Sequence, residues 1–288
     1  MEDEGSQMKS ATKLPAVAAL ACLLAGQVLA EDLEPGDTFS DELRDGGRGP
    51  EMVVIPAGSF EMGCVSGLDC YYRELPVHTV TISQPFAVSK YEITFEEYDR
   101  FAGANKVDDE GWGRRRRPVI NVSWNEAKEY VYWLSLQTAY TYRLLTEAEW
   151  EYAARGGSAT KFHFGNKESQ LCRYANFYDT TVGREITPCS DGVDLQTAVV
   201  GQYEPNAFGL HDMHGNVGEW VEDCWNRDYS DAPSDGTAWL NGDCDRRVMR
   251  GGSWGGIHWL VGSAKRDYAT DRYRSDIRGF RVARTLDP

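Results

Sequence analysis

Three helix starts in this sequence share one signature, a hydroxyl residue followed three positions later by a glutamate. The three pairs are Thr94 with Glu97, Ser123 with Glu126, and Thr146 with Glu149. In this arrangement, called a capping box, the hydroxyl accepts a hydrogen bond from an amide of the first turn, and the carboxylate accepts one from the amide of the cap residue. Apolar residues follow the second and third caps at helical spacing, and Gly156-Gly157 predicts the end of the third helix. The sequence therefore predicts three short helices between residues 94 and 157.

The segments before and after these helices have the pattern of short strands joined by loops. Before the first helix, strands are expected at residues 52–55, 58–63, 78–82 and 86–88. From about residue 157 onward, helical periodicity is absent, and glycine, asparagine, aspartate and tryptophan are frequent. Because 41% of the residues are hydrophobic and no repeat or linker interrupts the chain, we expect one globular domain over residues 51–288.

An apolar stretch near the N-terminus is typical of a secretory signal. Residues 14–30 are apolar, Lys9 and Lys13 precede them, and Ala30 ends the stretch with a small side chain. We interpret residues 1–30 as a signal peptide because the stretch is short for a membrane span; a membrane anchor is the alternative. Residues 31–50 are acidic and poor in apolar side chains, which predicts a flexible leader. The protein is expected to be exported, to the bacterial periplasm or the cell surface, with no transmembrane span in the mature chain.

The cysteines agree with an oxidising compartment. Beyond Cys22 there are six, an even number, and they form three pairs of near neighbours in the sequence. The pairs are Cys64 with Cys70, Cys172 with Cys189, and Cys224 with Cys244. Six cysteines allow fifteen connectivities, of which we favour this local one. A zinc site is the alternative, but no pair has the C-x-x-C spacing that such sites use.

The charge of the chain excludes nucleic acid as a partner. With 30 basic and 45 acidic residues the net charge is −15. A DNA or RNA binder needs a basic face to displace phosphate counterions. The one basic run, Arg114–Arg117, precedes a proline and is expected to be a solvated loop.

Seven further segments form a specific family signature when they occur together in order, although each one alone is a weak signal. They are residues 52–63 (MVVIPAGSFEMG), 118–124 (PVINVSW), 143–155 (RLLTEAEWEYAAR), 206–210 (NAFGL), 215–220 (GNVGEW), 250–254 (RGGSW) and 279–281 (GFR). In this order and spacing the chain resembles the formylglycine-generating enzyme family, also called sulfatase-modifying factors, whose relatives include proteins of ergothioneine and pyoverdine biosynthesis. The resemblance implies an α+β domain with much irregular structure, related to the C-type lectin fold.

The resemblance also implies bound calcium. The family's ligands map onto Asn176, the Phe177 backbone oxygen, Asp191 and the Val193 backbone oxygen for one ion, and onto Asn216, the Gly218 backbone oxygen and Glu219 for another. Loops that offer carboxylate, amide and backbone oxygens suit this hard cation. Asp194 is an alternative to Asp191. Capping of a turn is the alternative role for Asn216 and Glu219.

The best-known activity of the family is not expected from this sequence. In the enzymes, two cysteines after the Gly-Gly-Ser turn bind copper, which activates oxygen for the oxidation of a substrate cysteine to formylglycine. Here those positions are Gly256 and Val261, and no cysteine follows Cys244. Cu(I) requires soft thiolate ligands, which glycine and valine do not offer. Copper binding and sulfatase activation by the usual mechanism are therefore not expected.

Two weaker possibilities for chemistry remain. His211 and His214, spaced as on one face of a helical turn and flanking Asp212, could hold iron; satisfied loop histidines are the alternative. Ser253, Trp220 and His258 are candidates for the old catalytic cleft, but a serine nucleophile needs a base within hydrogen-bond reach. Stabilisation of the Gly-Gly turn is the favoured role of Ser253.

The segment between Trp254 and Gly279 follows neither helical nor strand periodicity, so core packing does not explain its composition. It contains aromatic and basic residues of the kinds that carry binding energy at recognition surfaces. The predicted binding surface consists of Trp254, Ile257, His258, Trp259, Tyr268, Arg272, Tyr273 and Arg274. The placement resembles variable proteins of diversity-generating retroelements, some of which randomise a C-terminal stretch of this fold. An ordinary loop region is the alternative.

Two functions follow from these observations. The first is a non-catalytic binding module that holds a peptide, protein or glycan in the cleft and on the predicted binding surface. The second is a non-heme metal oxidoreductase or maturation enzyme of the pyoverdine-biosynthesis type, which uses a different site in the same cleft.

Overall fold

The computed structural model describes Met1 and residues 33–103, 106–179 and 189–286. The contacts divide the chain into Met1–Asp32 and Leu33–Pro288. The expected signal peptide therefore lies outside the described residues, apart from Met1. No helix among the described residues is long and apolar enough to cross a membrane.

The larger unit contains short strands and helices connected by long irregular segments. The strands are β1 (Thr38–Phe39), β2 (Met52–Ile55), β3 (Gly58–Met62), β4 (His78–Ile82), β5 (Phe86–Ser89), β6 (Tyr142–Arg143), β7 (Gly218–Trp225), β8 (Asp243–Arg250), β9 (Arg266–Thr270), β10 (Arg278–Gly279) and β11 (Ala283–Thr285). The α-helices are α1 (Phe95–Ala102), α2 (Trp124–Thr138) and α3 (Glu147–Arg155). Single 3-10 turns occur at Tyr72–Glu74, Glu168–Arg173 and His258–Leu260.

The strands form three sheets. A five-stranded antiparallel sheet has the order β1-β2-β5-β11-β6, so the late strand β11 lies between two strands from the first half of the chain. A four-stranded sheet has the order β10-β7-β8-β9, in which β10 runs parallel to β7. Strands β3 and β4 form a separate hairpin. The sheets and helices together confirm the predicted α+β class.

The three capping boxes form as the sequence predicts. At the start of α1, the hydroxyl of Thr94 accepts from the amide of Glu97 at 3.3 Å, and the Glu97 carboxylate accepts from the amide of Thr94 at 2.7 Å. The same reciprocal pair begins α2 and α3. Each cap satisfies amides that the first helical turn leaves without a partner. A Gly156 in the left-handed conformation ends α3, as expected.

Two large apolar clusters support these elements. One joins α1 and α2 through stacked aromatic rings such as Tyr98 and Tyr130, and it includes Phe280. The other packs α3 through Trp150 against β2 to β5 and the centre of the four-stranded sheet. Tertiary burial of this kind, rather than helix propensity, accounts for most of the stability of such short helices.

The expectation of a flexible leader at residues 31–50 is wrong for the part that the structure describes. Strand β1 pairs with β2, and Leu43 is buried in the first apolar cluster. The carboxylate of Asp41 accepts from the Tyr142 hydroxyl at 2.6 Å and lies 3.2 Å from Nε of Arg284. Residues 33–50 are therefore part of the domain, because a few specific contacts offset their low hydrophobicity.

The structure joins the cysteines in the three local pairs favoured from the sequence, Cys64–Cys70, Cys172–Cys189 and Cys224–Cys244. Such bonds restrict the unfolded chain and typically contribute about 2–4 kcal/mol each. The first two pairs close loops in irregular parts of the domain, whereas Cys224–Cys244 joins the paired strands β7 and β8.

Candidate functional site

A glycine-rich turn after β8 shapes the site. Gly251 and Gly252 have φ angles of 89° and 72°, a conformation that favours glycine. A Cβ on Gly252 would lie 2.7 Å from Cγ1 of Val261, so the turn also requires the absence of a side chain. Ser253 follows this turn. A backbone hydrogen bond from the Gly256 N–H to the Ser253 carbonyl, at 2.8 Å, closes the next turn.

The two positions that carry the copper cysteines in the enzymes are neighbours here. A Cβ built on Gly256 would lie 3.6 Å from Cγ1 of the fully buried Val261. The two positions to which the family resemblance assigns the copper cysteines are therefore adjacent, while their side chains supply no metal ligand.

A cavity of about 530 Å³ opens beside this turn. Ser253, Gly255 and Gly256 line one side. The remaining walls come from the 71–74 segment, from β8 and β9, and from the approach to β10; their residues are Tyr71, Tyr72, Arg73, Glu74, Gly218, Met249, Arg250, Gly252, Leu260, Lys265, Arg266, Asp267, Ile277 and Arg278. Small-molecule sites in proteins have volumes of about 300–1,000 Å³. The cavity is therefore large enough for a small ligand or a short peptide segment.

Buried ion pairs hold the arginines of the cavity wall. Arg250 donates from Nη1 to Glu147 at 2.9 Å and from Nη2 to Glu151 at 2.5 Å. Arg266 donates from Nε to Glu147 at 2.6 Å. Burial raises the pKa of Glu147, but Arg266 and Arg250 outweigh burial and leave that pKa below its usual value. Helix α3, which carries both glutamates one turn apart, thus anchors the strands β8 and β9 behind the cavity.

The catalytic candidates from the sequence do not converge. Ser253 lines the cavity, as expected. Trp220 is instead a core residue, 1% exposed, whose Nε1 donates to the Val122 carbonyl at 3.0 Å. His258 lies against Glu168, with 3.1 Å between Nε2 and the carboxylate. Neither Trp220 nor His258 lines the cavity, so the described part of the chain shows no serine–histidine pair at this site.

The predicted binding surface divides into separate neighbourhoods. Ile257, His258 and Trp259 are partly buried around the 3-10 turn at His258–Leu260, and Trp254 donates from Nε1 to the Asp276 carbonyl at 3.1 Å. Tyr268 packs its ring on Trp225 with 4.3 Å between centroids. The three residues beyond β9 are exposed, namely Arg272, Tyr273 and Arg274. Arg274 makes a bidentate contact with Glu126 of α2 at 2.7 and 2.9 Å.

Three residues of the first predicted calcium set are hydrogen-bonded to one another, through the backbone amides of Phe177 and Val193 rather than their predicted backbone oxygens. The Asp191 carboxylate accepts from the amides of Phe177 at 3.0 Å and Val193 at 2.8 Å. Burial raises the pKa of Asp191 to about 6. The Asn176 side chain donates to the Asn216 amide oxygen at 3.1 Å, which links this set to the second one.

The second predicted set belongs to a buried carboxylate cluster that sequence reasoning did not identify. The amide oxygen of Asn216 already accepts from Asn176 and from the Ala198 amide, while its nitrogen donates to Glu92 at 2.6 Å. Oε2 of Glu219 accepts from Nε1 of Trp150 at 2.6 Å and from Nε of Arg281 at 2.7 Å. Within the described ranges, Oε1 of Glu219 and Oδ1 of Asp212 have no hydrogen-bond partner, although both are buried. The carboxylates absent from the calcium expectation are thus Glu92 and Asp212, the second of which the sequence assigns to the iron pair.

The expected iron pair, His211 and His214, does not form a site. Asp212 between them is in the left-handed conformation, with φ 59°, so the segment is not a helical turn. His211 bonds through Nδ1 to the Tyr203 carbonyl at 2.7 Å. His214 uses Nδ1 toward the Val261 carbonyl at 2.7 Å, and its Nε2 accepts from the His163 amide at 3.2 Å. In the part of the chain that the structure describes, no group of three or more His, Cys, Asp or Glu side chains is arranged around a metal position.

The fold and the site together define an α+β domain with a Gly-Gly-Ser turn beside a cavity of small-ligand size. Comparison with known proteins assigns the family of this domain. The sulfatase-modifying factor enzyme 1-like domain matches residues 39–286. The chain belongs to this family, the formylglycine-generating enzyme family that its motifs indicate.

Individual relatives agree with this assignment. PvdO from Pseudomonas aeruginosa is 39% identical, with a TM-score of 0.76 over 88% of this chain and 100% of that one. The Treponema denticola variable protein 1 is 25% identical, with a TM-score of 0.69 over 86% of this chain and 98% of that one. The formylglycine-generating enzyme of Thermomonospora curvata is 29% identical over 238 residues, 65% of this chain and 75% of that protein. Across the curated relatives, the chain spans 38% to 75% of their lengths.

Proposed function

We propose that this protein is an exported, non-catalytic binding member of the formylglycine-generating enzyme family, and that it holds a small or peptide-like ligand in the cavity beside Ser253. The observation that carries the proposal is the cavity of about 530 Å³, whose lining includes Gly256, one of the two positions at which the family resemblance places a copper ligand. A preformed concave site with both apolar and polar walls is the usual form of a ligand site.

A cavity-blocking variant tests this function. Gly255 lines the cavity and is exposed, and a Cβ there would make only ordinary contacts, at 3.6 Å to Ile277 and 3.9 Å to Ser253. Gly255→Trp is therefore expected to fold and to fill the cavity. Native mass spectrometry of protein from its own exporting host should detect a bound small molecule in the unaltered protein and not in Gly255→Trp. The matched control is Tyr132→Trp, which places an indole at an exposed position of α2. Equal ligand content in all three proteins would contradict the proposal.

A second function, a non-heme metal oxidoreductase or maturation enzyme of the pyoverdine-biosynthesis type, has one specific observation in its favour. The 39% identity with PvdO extends over 100% of that chain, whereas the 38% identity with the formylglycine-generating enzyme of Streptomyces coelicolor extends over 43% of that protein. Metal analysis of the purified protein, together with oxygen consumption, separates the two functions. Stoichiometric iron or copper with oxygen uptake would exclude the binding-only function.

Diversification of residues 255–278 by a retroelement remains part of the binding proposal. The exposed Arg272–Arg274 segment is compatible with variation, whereas the packing of Tyr268 on Trp225 ties that position to the fold. A near-copy of the codons for residues 250–284 in adjacent DNA, differing mainly at adenines and next to a reverse transcriptase gene, would support diversification. Its absence would remove this variant of the proposal.

Calcium is proposed as the structural cofactor. The buried oxygens Asp212 Oδ1 and Glu219 Oε1, which lack partners among the described residues, support a hard cation at this cluster. Asp191 with the neighbouring Asn176 and Phe177 supports a second ion. Calcium supplies positive charge that offsets the mutual repulsion of these carboxylates, and the chain's own part is to hold the oxygens in place.

A further inference from the structure

Arg278 is the unusual residue of the cavity wall. Its side chain is 11% exposed, and within the described residues its Nε and Nη1 atoms are buried without a hydrogen-bond partner. Its nearest carboxylate is Asp267, at 4.0 Å from Nη2, and that side chain is 67% exposed. A desolvated guanidinium with unused donors is costly, so natural proteins rarely keep one without a partner.

The other cations of the wall, apart from Arg73, have carboxylate partners, and Arg73 donates from Nε to the Tyr72 hydroxyl at 3.3 Å. Arg250 and Arg266 contact Glu147 and Glu151, as described above. Lys265 donates to Glu74 at 2.9 Å. Arg278 differs from all three, because its planar group has no ionic contact closer than 4.0 Å. Among the described residues that line the cavity, Arg250 has one buried donor without a partner, its Nε, whereas Arg278 has two and lacks a close carboxylate.

The surroundings hold this guanidinium in place. The ring of Tyr273 lies 4.3 Å from its Cζ, and the ring of Trp220 lies 5.9 Å from it. The two aromatic contacts restrict the long side chain, and Tyr273 also interacts with its charge, while Nε and Nη1 keep no hydrogen-bond partner among the described residues. A ligand that binds here therefore meets a pre-positioned donor group rather than a mobile one.

We propose that the ligand of the cavity carries a carboxylate, and that Arg278 binds this carboxylate. The inference rests on the proposed ligand-binding function and adds the chemical class of the ligand. A single negative charge is favoured over a doubly charged phosphate, because Glu74, Glu147 and Glu151 already offset Lys265, Arg250 and Arg266, and Asp267 lies beside Arg278. The walls around Arg278 include Met249, Leu260 and Ile277, which suit an apolar part of the same ligand.

The test compares an acid with its neutral counterpart on the whole protein. Propionate and propionamide have nearly the same size, and only propionate is charged. The readout is the ¹⁵N–¹H signal of Arg278 Nε, assigned by its loss in Arg278→Lys, during titration at constant ionic strength. We expect propionate to shift this signal saturably and to bind at least about tenfold more tightly than propionamide, since charge-assisted hydrogen bonds exceed neutral ones by about 1.4 kcal/mol or more. Phosphate is expected to bind more weakly than propionate.

Variants test whether Arg278 is responsible for the preference for the acid over the amide. The Arg278→Gln variant is followed by the amide signals of Gly255 and Gly256, and its preference for the acid should disappear. The control is Arg44→Gln, which replaces an exposed arginine distant from Arg278 in the sequence, and this variant should keep the preference. Equal binding of acid and amide, preference for phosphate, or no saturable shift with propionate would each overturn the carboxylate assignment. If both compounds bind and Gly255→Trp abolishes their binding, the carboxylate assignment is overturned but the proposed function is preserved. Binding that Gly255→Trp leaves unchanged would contradict the proposed function itself.

Discussion

The Nε atom of Arg281 lies 2.7 Å from Oε2 of Glu219, and both side chains are fully buried. The same guanidinium donates to the carbonyls of Ser89 at 3.0 Å and of His211 at 2.9 Å. This arginine therefore connects strands β7 and β5 with the segment that contains His211, which precedes Asp212 of the carboxylate cluster. Its charge also faces Glu92 and Asp212, so it compensates more than one buried carboxylate.

Replacement of Arg281 by methionine should destabilise the domain strongly. Loss of one member of a buried ion pair typically costs about 3–5 kcal/mol, because the remaining charge stays desolvated. Urea unfolding followed by tryptophan fluorescence measures the free energy of unfolding. Arg272→Met is the matched control, since that side chain is 89% exposed, and it should change the free energy by less than about 0.5 kcal/mol. A similar small effect for Arg281→Met would show that the pair adds little stability.

A pair of cysteines should restore a copper site. The double variant Gly256→Cys/Val261→Cys places two sulfur atoms on positions that are already neighbours, and two thiolates suit Cu(I). We expect the reduced double variant to bind one Cu(I) in competition with a chromophoric chelator. Each single variant should bind at least about tenfold more weakly, because one thiolate is lost. No difference between double and single variants would mean that the two positions do not face each other.

The buried Asp223 should make stability depend on pH. Burial and then the nearby Glu147 charge raise its pKa to about 7, although its oxygens accept from the Trp239 and Glu147 amides. Because its folded pKa exceeds the unfolded value, the native state binds the extra proton, and this contribution to stability is lost as pH rises from about 4 to 7. Asp223→Asn removes this loss. The free energy of unfolding of the variant, relative to the unaltered protein, should rise over that pH range by an amount on the order of 3 kcal/mol. A constant difference would contradict the raised pKa.

Removal of calcium should lower the melting temperature. A ligand present at 100 times its dissociation constant stabilises the native state by about 2.7 kcal/mol, so a chelator should reverse a stabilisation of this order. The measurement is the melt with EGTA and with added Ca²⁺. Asp212→Asn should reduce the response, and asparagine tolerates the left-handed backbone at this position. Asp267→Asn, an exposed position, should respond like the unaltered protein. An EGTA-insensitive melt would argue against the assigned ligands.

Local signals in the sequence predicted the local structure well. A capping box such as Ser123 with Glu126 acts within one turn, so neighbouring residues suffice to identify it. Strands β2 to β5 were also identifiable, because their alternating or continuous apolar patterns lie within a few residues. The ordered motifs identified the family over the same part of the chain that the domain match covers.

Features that depend on distant contacts were not predictable. The packing of residues 33–50 depends on Asp41 meeting Tyr142 and Arg284, which are far away in the sequence. The expected iron pair failed because Asp212 is left-handed, so the segment is not a helical turn, and the two histidines bond instead to the distant carbonyls of Tyr203 and Val261. The unusual environment of Arg278 arises from residues of three separate segments, and single-sequence periodicity contains no information about it.

The position of β11 has a consequence for how the protein is made. Its three residues complete the middle of a sheet whose other strands are synthesised much earlier. A nascent chain that ends before Ala283 leaves β5 and β6 without their common neighbour, so their backbone groups stay unpaired. Closure of this sheet therefore waits for residues 283–285, and a nascent chain that ends before them should remain sensitive to protease.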